Sequence, residues 1–222
     1  MDDTTPAEIT TQTEEYLEAV SRIIDRGDLV TPTELSRELK VTPTSVLGML
    51  RRMEEQGLAC YSRQTGVILT ARGKASAERI RRRHRLAERL LTDILGVPWE
   101  RVHDIACRFE HVIDDELEPY LLQALHNPTT CPHGNSLLVV GETSLALHPL
   151  NTLKAGQTAA VVRIVDESTP LLTYLGELGV YPGVTITVTA IAPFDGPLMI
   201  TIATTQHAIS REVAEHILVQ CG

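Results

Sequence analysis

The stretch HDIACRFEH, residues 103–111, gathers His103, Cys107, Glu110 and His111 into nine residues. Offsets of four, three and one put the first three along one face of a helix, because residues three and four apart are helical neighbours. Imidazole, thiol and carboxylate donors on one stripe suit a transition-metal ion. Upstream, His84 and Glu88 stand four apart, so both can face one ion. The competing reading is an amphipathic helix with a half-buried cysteine and two surface histidines.

Periodicity supplies the elements that position these donors. Tyr16, Leu17, Val20, Ile23 and Ile24 form the apolar stripe of a helix over about Thr11 to Asp25. In TPTELSRELK, Thr33 caps a second helix with Leu35, Ser36 and Leu39 inward. A third opens at Thr42-Pro43, runs through Val46, Leu47, Leu50 and Met53, and stops at Gly57, where a C′ glycine is favoured. ACYSRQTGVILT then reads as a hairpin turning at Gln64-Thr65-Gly66. This is the order of a winged helix-turn-helix. Helical character resumes from Ala71 to Gly96, and again from Pro98 until before Pro119, with a short helix in PYLLQAL. HNPTTCPHGNSL is a turn-rich linker. Beyond Pro149, AAVVRIV, TITVTAIA and LMITIATTQHAIS are β-branched strands around a short helix and a Pro-Gly turn in LLTYLGELGVYPG, which suggests a small barrel.

Composition narrows the function class. At 222 residues and 43% apolar the chain is globular, and with only 4% aromatic residues its core rests on Leu, Ile, Val and Ala. MDDTTPAEITTQTEE lacks the apolar stretch of a signal peptide, and no run approaches a membrane span. Four scattered cysteines (Cys60, Cys107, Cys131, Cys221) point to ligand or core roles rather than a disulfide framework. The expectation is a soluble cytoplasmic protein with no membrane association. Net charge is −9, yet residues 22–89 hold 15 Lys/Arg against 8 Asp/Glu, so that segment carries +7 and the remainder −16. The excess peaks in ERIRRRHRLAER, residues 78–89, which is either a solvated helix face or part of a phosphate-binding module.

With these residues in hand, RRRHRLAERLLTDILGVPWERVHDIACRFEHVIDDELE resembles the metal-binding and dimerisation domain of the diphtheria toxin repressor family, the Fe²⁺- or Mn²⁺-activated transcriptional repressors. TEEYLEAV, the winged helix-turn-helix with RRMEEQGL, and the CPHGN linker fit the same family from about Thr11 to Asn135. More loosely, YLGELGVYPG and PLMITI resemble the SH3-like domain shared with small ferrous-iron transport accessory proteins. The resemblance implies a mainly α fold with a small β domain: a winged helix-turn-helix DNA-binding domain over 1–73, a helical dimerisation and metal-binding domain over 74–135, a linker over 136–150, and an SH3-like barrel over 151–222. It implies a homodimeric, metal-activated repressor of metal-homeostasis genes that binds a palindromic double-stranded DNA operator.

Carried over residue by residue, the primary site takes Cys107, Glu110, His111 and, from the first helix, Glu15. Iron-dependent members place Met at that first-helix position. Manganese-dependent members place a carboxylate there, and usually another where this chain has Cys107. The hybrid leans to Fe²⁺ through its thiolate, with Mn²⁺ the rival and Zn²⁺, Co²⁺ or Ni²⁺ as substitutes in vitro. The ancillary site takes His84, Glu88 and His103, with Cys131, His133 and, more weakly, Asp166 or Glu167, so two sites per chain are expected. The family's Glu and Gln pair in the SH3-like domain has no clear counterpart. Thr42, Thr44, Ser45, Gly48, Arg51, Arg52 and the wing residue Arg63 are the DNA-contact candidates. Gly48 replaces a Gln of the iron-type members, which leaves the operator open. The alternatives are a winged-helix regulator with a structural metal site answering another effector, and a ferrous-transport accessory protein, which leaves the first 140 or so residues unexplained. An enzyme is disfavoured, because the thiol lies on a helix beside metal-suited histidines with no oxyanion-hole motif.

Overall fold

The computed structural model describes residues 9–137 and 146–221. Of the expected linker 136–150, residues 138–145 lie outside the described residues. The chain divides between Arg83 and His84 into two compact units.

The first unit has three helices and a hairpin: α1 (Thr11–Asp25), α2 (Pro32–Leu39), α3 (Pro43–Glu55), β1 (Ala59–Ser62) and β2 (Gly66–Leu69). Helices α2 and α3 start alike. Thr31 and Thr42 accept the backbone N–H groups of Glu34 and Ser45, and a proline follows each at the first helical position, where its missing N–H costs nothing. The cap of α2 is therefore Thr31 and not Thr33, because Thr31-Pro32 starts the helix two residues earlier. Leu17, Val20 and Ile23 of α1, Leu35 of α2, Val46, Leu50 and Met53 of α3, and Leu58, Val67 and Leu69 around the hairpin make one core. Leu47, expected inward, is 40% exposed, and Met49 takes the inner place. The buried line of α3 thus runs 46, 49, 50, 53, the i, i+3, i+4, i+7 spacing of a helix face. The hairpin is tied in by the Val67 N–H, which donates to the Val30 carbonyl at 2.9 Å.

Helix α4 (Ala71–Arg89) contains the division and carries His84 and Glu88 in its last two turns. It runs on through a π-helical turn, Leu90–Ile94, and ends at Gly96. Next come α5 (Val102–Phe109), a 3₁₀ turn at Glu110–Val112 and α6 (Glu118–Ala124). The expected continuous helix up to Pro119 stops early. Asp114 Oδ1 accepts the N–H groups of Glu116 and Leu117, at 3.0 and 2.8 Å, and so starts a new turn in place of continuing the old one.

The rest of the second unit is an SH3-like β domain. Strands β3 (His148–Pro149), β4 (Thr158–Ile164), β5 (Thr185–Ile191), β6 (Leu198–Ile202), β7 (Thr205–Ile209) and β8 (Ile217–Cys221) form an antiparallel sheet in the order β3-β8-β4-β5-β6-β7. Between them lie α7 (Thr169–Glu177) and α8 (Arg211–Glu215). Irregularities between Val161 and Arg163 and between Val188 and Ala190 explain the imperfect alternation in the sequence. The first shifts the strand by one residue, so that Ala159, Val161 and Ile164 face the core.

One loop connects the helical and β parts. A bridge between Thr130 and Ser136 and the Cys131 N–H to Asn135 carbonyl bond, 2.8 Å, close the CPHGN segment into a tight loop. Arg89 of α4 donates to the carbonyls of Thr130 (2.6 Å) and Cys131 (3.2 Å), and Arg85 donates to that of Ser136. Part of the basic run is therefore spent on loop carbonyls. On its other side the loop docks on β4: the Ile164 N–H donates to the His133 carbonyl at 2.9 Å. Gly134 permits this. Its φ is +88°, and a Cβ there would lie 2.0 Å from the Val162 carbonyl oxygen.

Candidate metal centre

Four segments of the second unit bring donors together: α4 gives His84 and Glu88, α5 gives His103 and Cys107, the CPHGN loop gives Cys131 and His133, and the residues after β4 give Glu167. Their donor atoms form three overlapping sets. These are His84, His103 and Cys107; His84, Glu88, His103 and Glu167; and Glu88, Cys131, His133 and Glu167, with all donor atoms in a set within 4.8 Å of one another.

Hydrogen bonds fix the ring orientations. His84 Nδ1 lies 2.6 Å from Glu110 Oε2, while its Nε2 turns to Glu88 Oε1 (3.2 Å) and His103 Nδ1 (3.1 Å). His103 Nδ1 is also 2.7 Å from Glu167 Oε2, and its Nε2 is 3.8 Å from Cys107 Sγ. His133 uses Nε2 for the Trp99 carbonyl, 2.9 Å away, which leaves Nδ1 for Glu88 Oε1 (3.3 Å), Glu167 Oε1 (3.6 Å) and Cys131 Sγ (4.0 Å). An imidazole whose far nitrogen is held by a carbonyl or carboxylate is the usual arrangement behind a metal-binding histidine. Asn135 donates to Glu167 Oε1 at 2.5 Å. Neither the Trp99 carbonyl nor Asn135 is evident from sequence spacing, although Asn135 closes the CPHGN motif.

Burial and charge oppose each other throughout. Burial disfavours the charged form of His84, but its bonds to Cys107, Glu110 and Glu88 hold it well above the ordinary histidine range. Likewise, burial is outweighed at His103 by Cys107, Glu167 and Glu88, which push it up to about 11, and at His133 by Cys131, Glu167 and Glu88, which push it up to about 12. Burial would raise Glu88, yet His103, His133 and His84 draw it well below the carboxylate range. Burial and the Glu88 charge would raise Glu167, yet His103 and His133 bring it to about 2. The Cys107 thiol is raised by burial and lowered further by His103 and His84, a net fall; burial and Glu88 push Cys131 up.

The residues fit a metal ion. Mixed imidazole, carboxylate and thiol donors are what a first-row divalent ion takes. Glu88 is fully buried, and its Oε2 has no hydrogen-bond partner among the described residues. An unpaired carboxylate oxygen inside a protein is costly, and a cation would satisfy it.

Of the remaining sequence candidates, Glu110 touches the centre through His84, and the others lie outside the three sets. Glu110 is buried at the start of the 3₁₀ turn, with His111 Nε2 3.6 Å from its Oε1. Asp166 Oδ1 accepts the Ser168 N–H at 2.8 Å, so its carboxylate serves the turn into α7. Glu15 is exposed on α1 of the first unit. In the same unit Thr42, Thr44, Ser45, Gly48, Arg51, Arg52 and Arg63 are all exposed. The Thr42 and Ser45 hydroxyls bond each other at 2.9 Å, and nothing lies within 4 Å of where a Gly48 Cβ would stand.

Comparison with known proteins covers the chain in three parts. Residues 8–67 match the N-terminal DNA-binding domain of iron-dependent repressors, residues 70–138 their metal-binding and dimerisation domain, and residues 148–221 the FeoA domain. The iron-dependent repressor IdeR of Mycobacterium tuberculosis is 35% identical over 195 residues, 82% of this chain and 85% of that one. The diphtheria toxin repressor of Corynebacterium diphtheriae is 33% identical over 162 residues, 72% of this chain and 67% of its own length. Among solved structures, a manganese-dependent transcriptional repressor in complex with manganese superposes with a TM-score of 0.81 at 27% identity, covering 94% of this chain and 99% of that one. The IdeR of T. acidophilum gives 0.75 at 27% identity, covering 94% and 97%.

Proposed function

The chain belongs to the diphtheria toxin repressor family, and from that premise we propose that it is activated by Fe²⁺ in preference to Mn²⁺ and then binds a palindromic operator as a homodimer. It is a metal-responsive, DNA-binding transcriptional repressor and not an enzyme. The observation that carries the choice of metal is the Cys107 thiol beside His84 and His103, held below its ordinary pKa by them although burial raises it. A thiolate among imidazoles favours a softer ion than an all-oxygen site would.

Cys107, Glu110 and His111 would hold the regulatory ion, with Glu15 as the proposed ligand from the DNA-binding domain. His84, Glu88, His103 and Glu167, joined by Cys131 and His133, would hold the ancillary metal. A bound ion supplies positive charge among buried carboxylates and thiols, and the state that binds it best is the state it favours. On the DNA side, Thr42, Thr44, Ser45 and Gly48 would approach the bases, and Arg51, Arg52 and Arg63 the phosphates. A repressor of this kind works in the cytoplasm.

The test is fluorescence anisotropy with the chain's own upstream DNA under anaerobic conditions, in chelator, Fe²⁺, Mn²⁺ or Zn²⁺. Tight binding with Fe²⁺ at lower concentration than Mn²⁺, and none in chelator, is the expected result. Equal binding in chelator would instead make the centre structural, and a preference for Mn²⁺ would make Glu15 and not Cys107 the deciding donor.

A further inference from the structure

We infer that Leu47 reads the methyl group of a thymine in each operator half-site, and that Gly48 beside it lets the backbone of α3 come close enough for the contact. The inference rests on the reading of this chain as a DNA-binding repressor with α3 in the major groove, and adds a residue that chooses among bases.

The helix pair has the build for that groove. Residues 40–42 join α2 to α3, and Lys40 turns the chain with a φ of +54°. In helix-turn-helix modules the second helix of such a pair lies in the major groove and reads base edges from its first turns. Leu47 is the fifth residue of α3. Thr44, Leu47, Gly48 and Arg51 are spaced i, i+3, i+4, i+7, on the face opposite the buried line of Val46, Met49, Leu50 and Met53, and all four are exposed. A hydroxyl, an apolar side chain, a gap and a guanidinium thus share the outward face.

Two of these residues are out of place by the rules of an isolated domain. A single exposed leucine means little on an ordinary surface, but this one stands in the middle of the stripe that meets the groove. Gly48 adjoins it. Its backbone is helical, and among the described residues nothing lies within 4 Å of where its Cβ would stand. Neither the backbone nor the packing therefore asks for glycine, which weakens a helix interior relative to alanine. What the missing Cβ supplies is room on the outer side for another molecule to approach the backbone.

The apolar group that base edges offer in the major groove is the C5-methyl of thymine. A base drawn in over Gly48 brings that methyl against the Leu47 side chain. Leu47 also walls a cleft of about 340 Å³ between α3 and the hairpin, together with Leu50, Arg51, Glu54, Tyr61 and Arg63. Glu54 is engaged by the hairpin, its Oε1 accepting the Tyr61 N–H at 2.8 Å. Two guanidinium groups therefore stand beside an apolar wall. One DNA strand suits both, with phosphates for the arginines and a methyl for the leucine.

Duplexes would be selected anaerobically from a randomised pool by the full chain with Fe²⁺ and Mn²⁺ both present, and the tightest would be remade with deoxyuridine for each thymidine in turn. Uracil keeps every hydrogen-bonding group of thymine and lacks the methyl alone. The expected result is one position in each half-site where losing the methyl weakens binding about fourfold, the worth of one buried carbon. Leu47→Ala and Leu47→Ser should each bind the thymine and uracil forms of that position equally. Gly48→Ala should melt no lower than the wild type, since its Cβ meets nothing in the free chain, yet bind the selected duplex roughly tenfold more weakly. A wild type with no methyl-sensitive position would overturn the inference, as would sensitivity that survives in either Leu47 variant or full operator binding by Gly48→Ala. The uracil series on the wild type needs no variant, so misfolding of one substituted chain leaves the question decidable. Metal-dependent binding without a methyl-sensitive position sinks the Leu47 assignment alone, whereas selection of no duplex with both metals present sinks the repressor reading and the assignment with it.

Discussion

His103, His133 and Glu167 face one another across a short distance, and each holds its charge because of the others. This has a pH signature in the metal-free chain. His103 and His133, raised from 6.5 to about 11 and about 12, add stability that is complete below about pH 6.5 and is lost as pH climbs through the raised values. Glu167, lowered from 4.5 to about 2, adds stability that is complete above about pH 4.5 and is lost as pH falls toward 2. In chelator the melting temperature should therefore peak between about pH 4.5 and 6.5. Metal needs neutral imidazoles and releases their protons, so added Mn²⁺ should raise the melting temperature more at pH 8 than at pH 6, with pH chosen as about one step either side of neutrality. Calorimetric scans across pH check both, and a profile that is the same in a His103→Ala, His133→Ala double variant would refute the assignment. The donor types were legible at this scale, because His84, Glu88, His103 and Cys107 follow helical spacing. The contact of His84 with Glu110 was not. It joins residues 26 apart in the chain, on α4 and on the 3₁₀ turn after α5, and no local spacing announces it.

Among the elements, the CPHGN loop departs most from its sequence reading. Pro, Gly and Asn mark it as a linker, yet its carbonyls are taken up by Arg85 and Arg89 on one side and its backbone pairs with β4 on the other. No local signal could show this, since the partners come from α4 and from β4, some 30 to 50 residues away in the chain. The same distance hides Glu167, whose place depends on where β4 ends against the loop. The winged helix-turn-helix was legible because caps and glycines are local signals; even there, Thr31 competed with Thr33 and the Thr-Pro pair decided. Gly134 tests the docking. Gly134→Ala introduces a Cβ 2.0 Å from the Val162 carbonyl at a φ of +88°, an overpacking that should cost roughly 1–3 kcal/mol. Thermal unfolding should show the loss, and the purified variant should retain less Mn²⁺ because His133 and Cys131 shift with the loop. Unchanged stability and metal content would mean the loop tolerates separation from β4.

At the scale of the whole molecule, the helical segment of the second unit leaves apolar side chains in solvent. Ile94 is 58% exposed, Leu95 61%, Val112 61% and Tyr120 68%, all within the stretch matching a dimerisation domain. Apolar residues gathered in one segment are expected to be covered by a partner. Leu95→Glu should shift the protein from dimer to monomer in analytical ultracentrifugation and weaken operator binding, because two linked half-sites hold better than one. A Leu95→Glu protein that still sediments as a dimer would place the interface elsewhere.

Glu88 and His133 show no exposed surface at all, and this bears on time as much as on affinity. An ion enclosed by such residues leaves only when the surrounding structure opens locally, so its release is paced by opening rather than by the strength of its bonds. Trp99, the only tryptophan in the chain, has its ring 5.4 Å from that of His133 and can report the event by its emission. After a pulse of excess chelator, Trp99 emission should relax more slowly than operator release, and Gly134→Ala should speed it. Simultaneous relaxation in both channels would show that the two losses are one event. An ion that outlasts operator release in this way would leave the protein differently loaded at the same free metal, according to whether metal had lately risen or fallen.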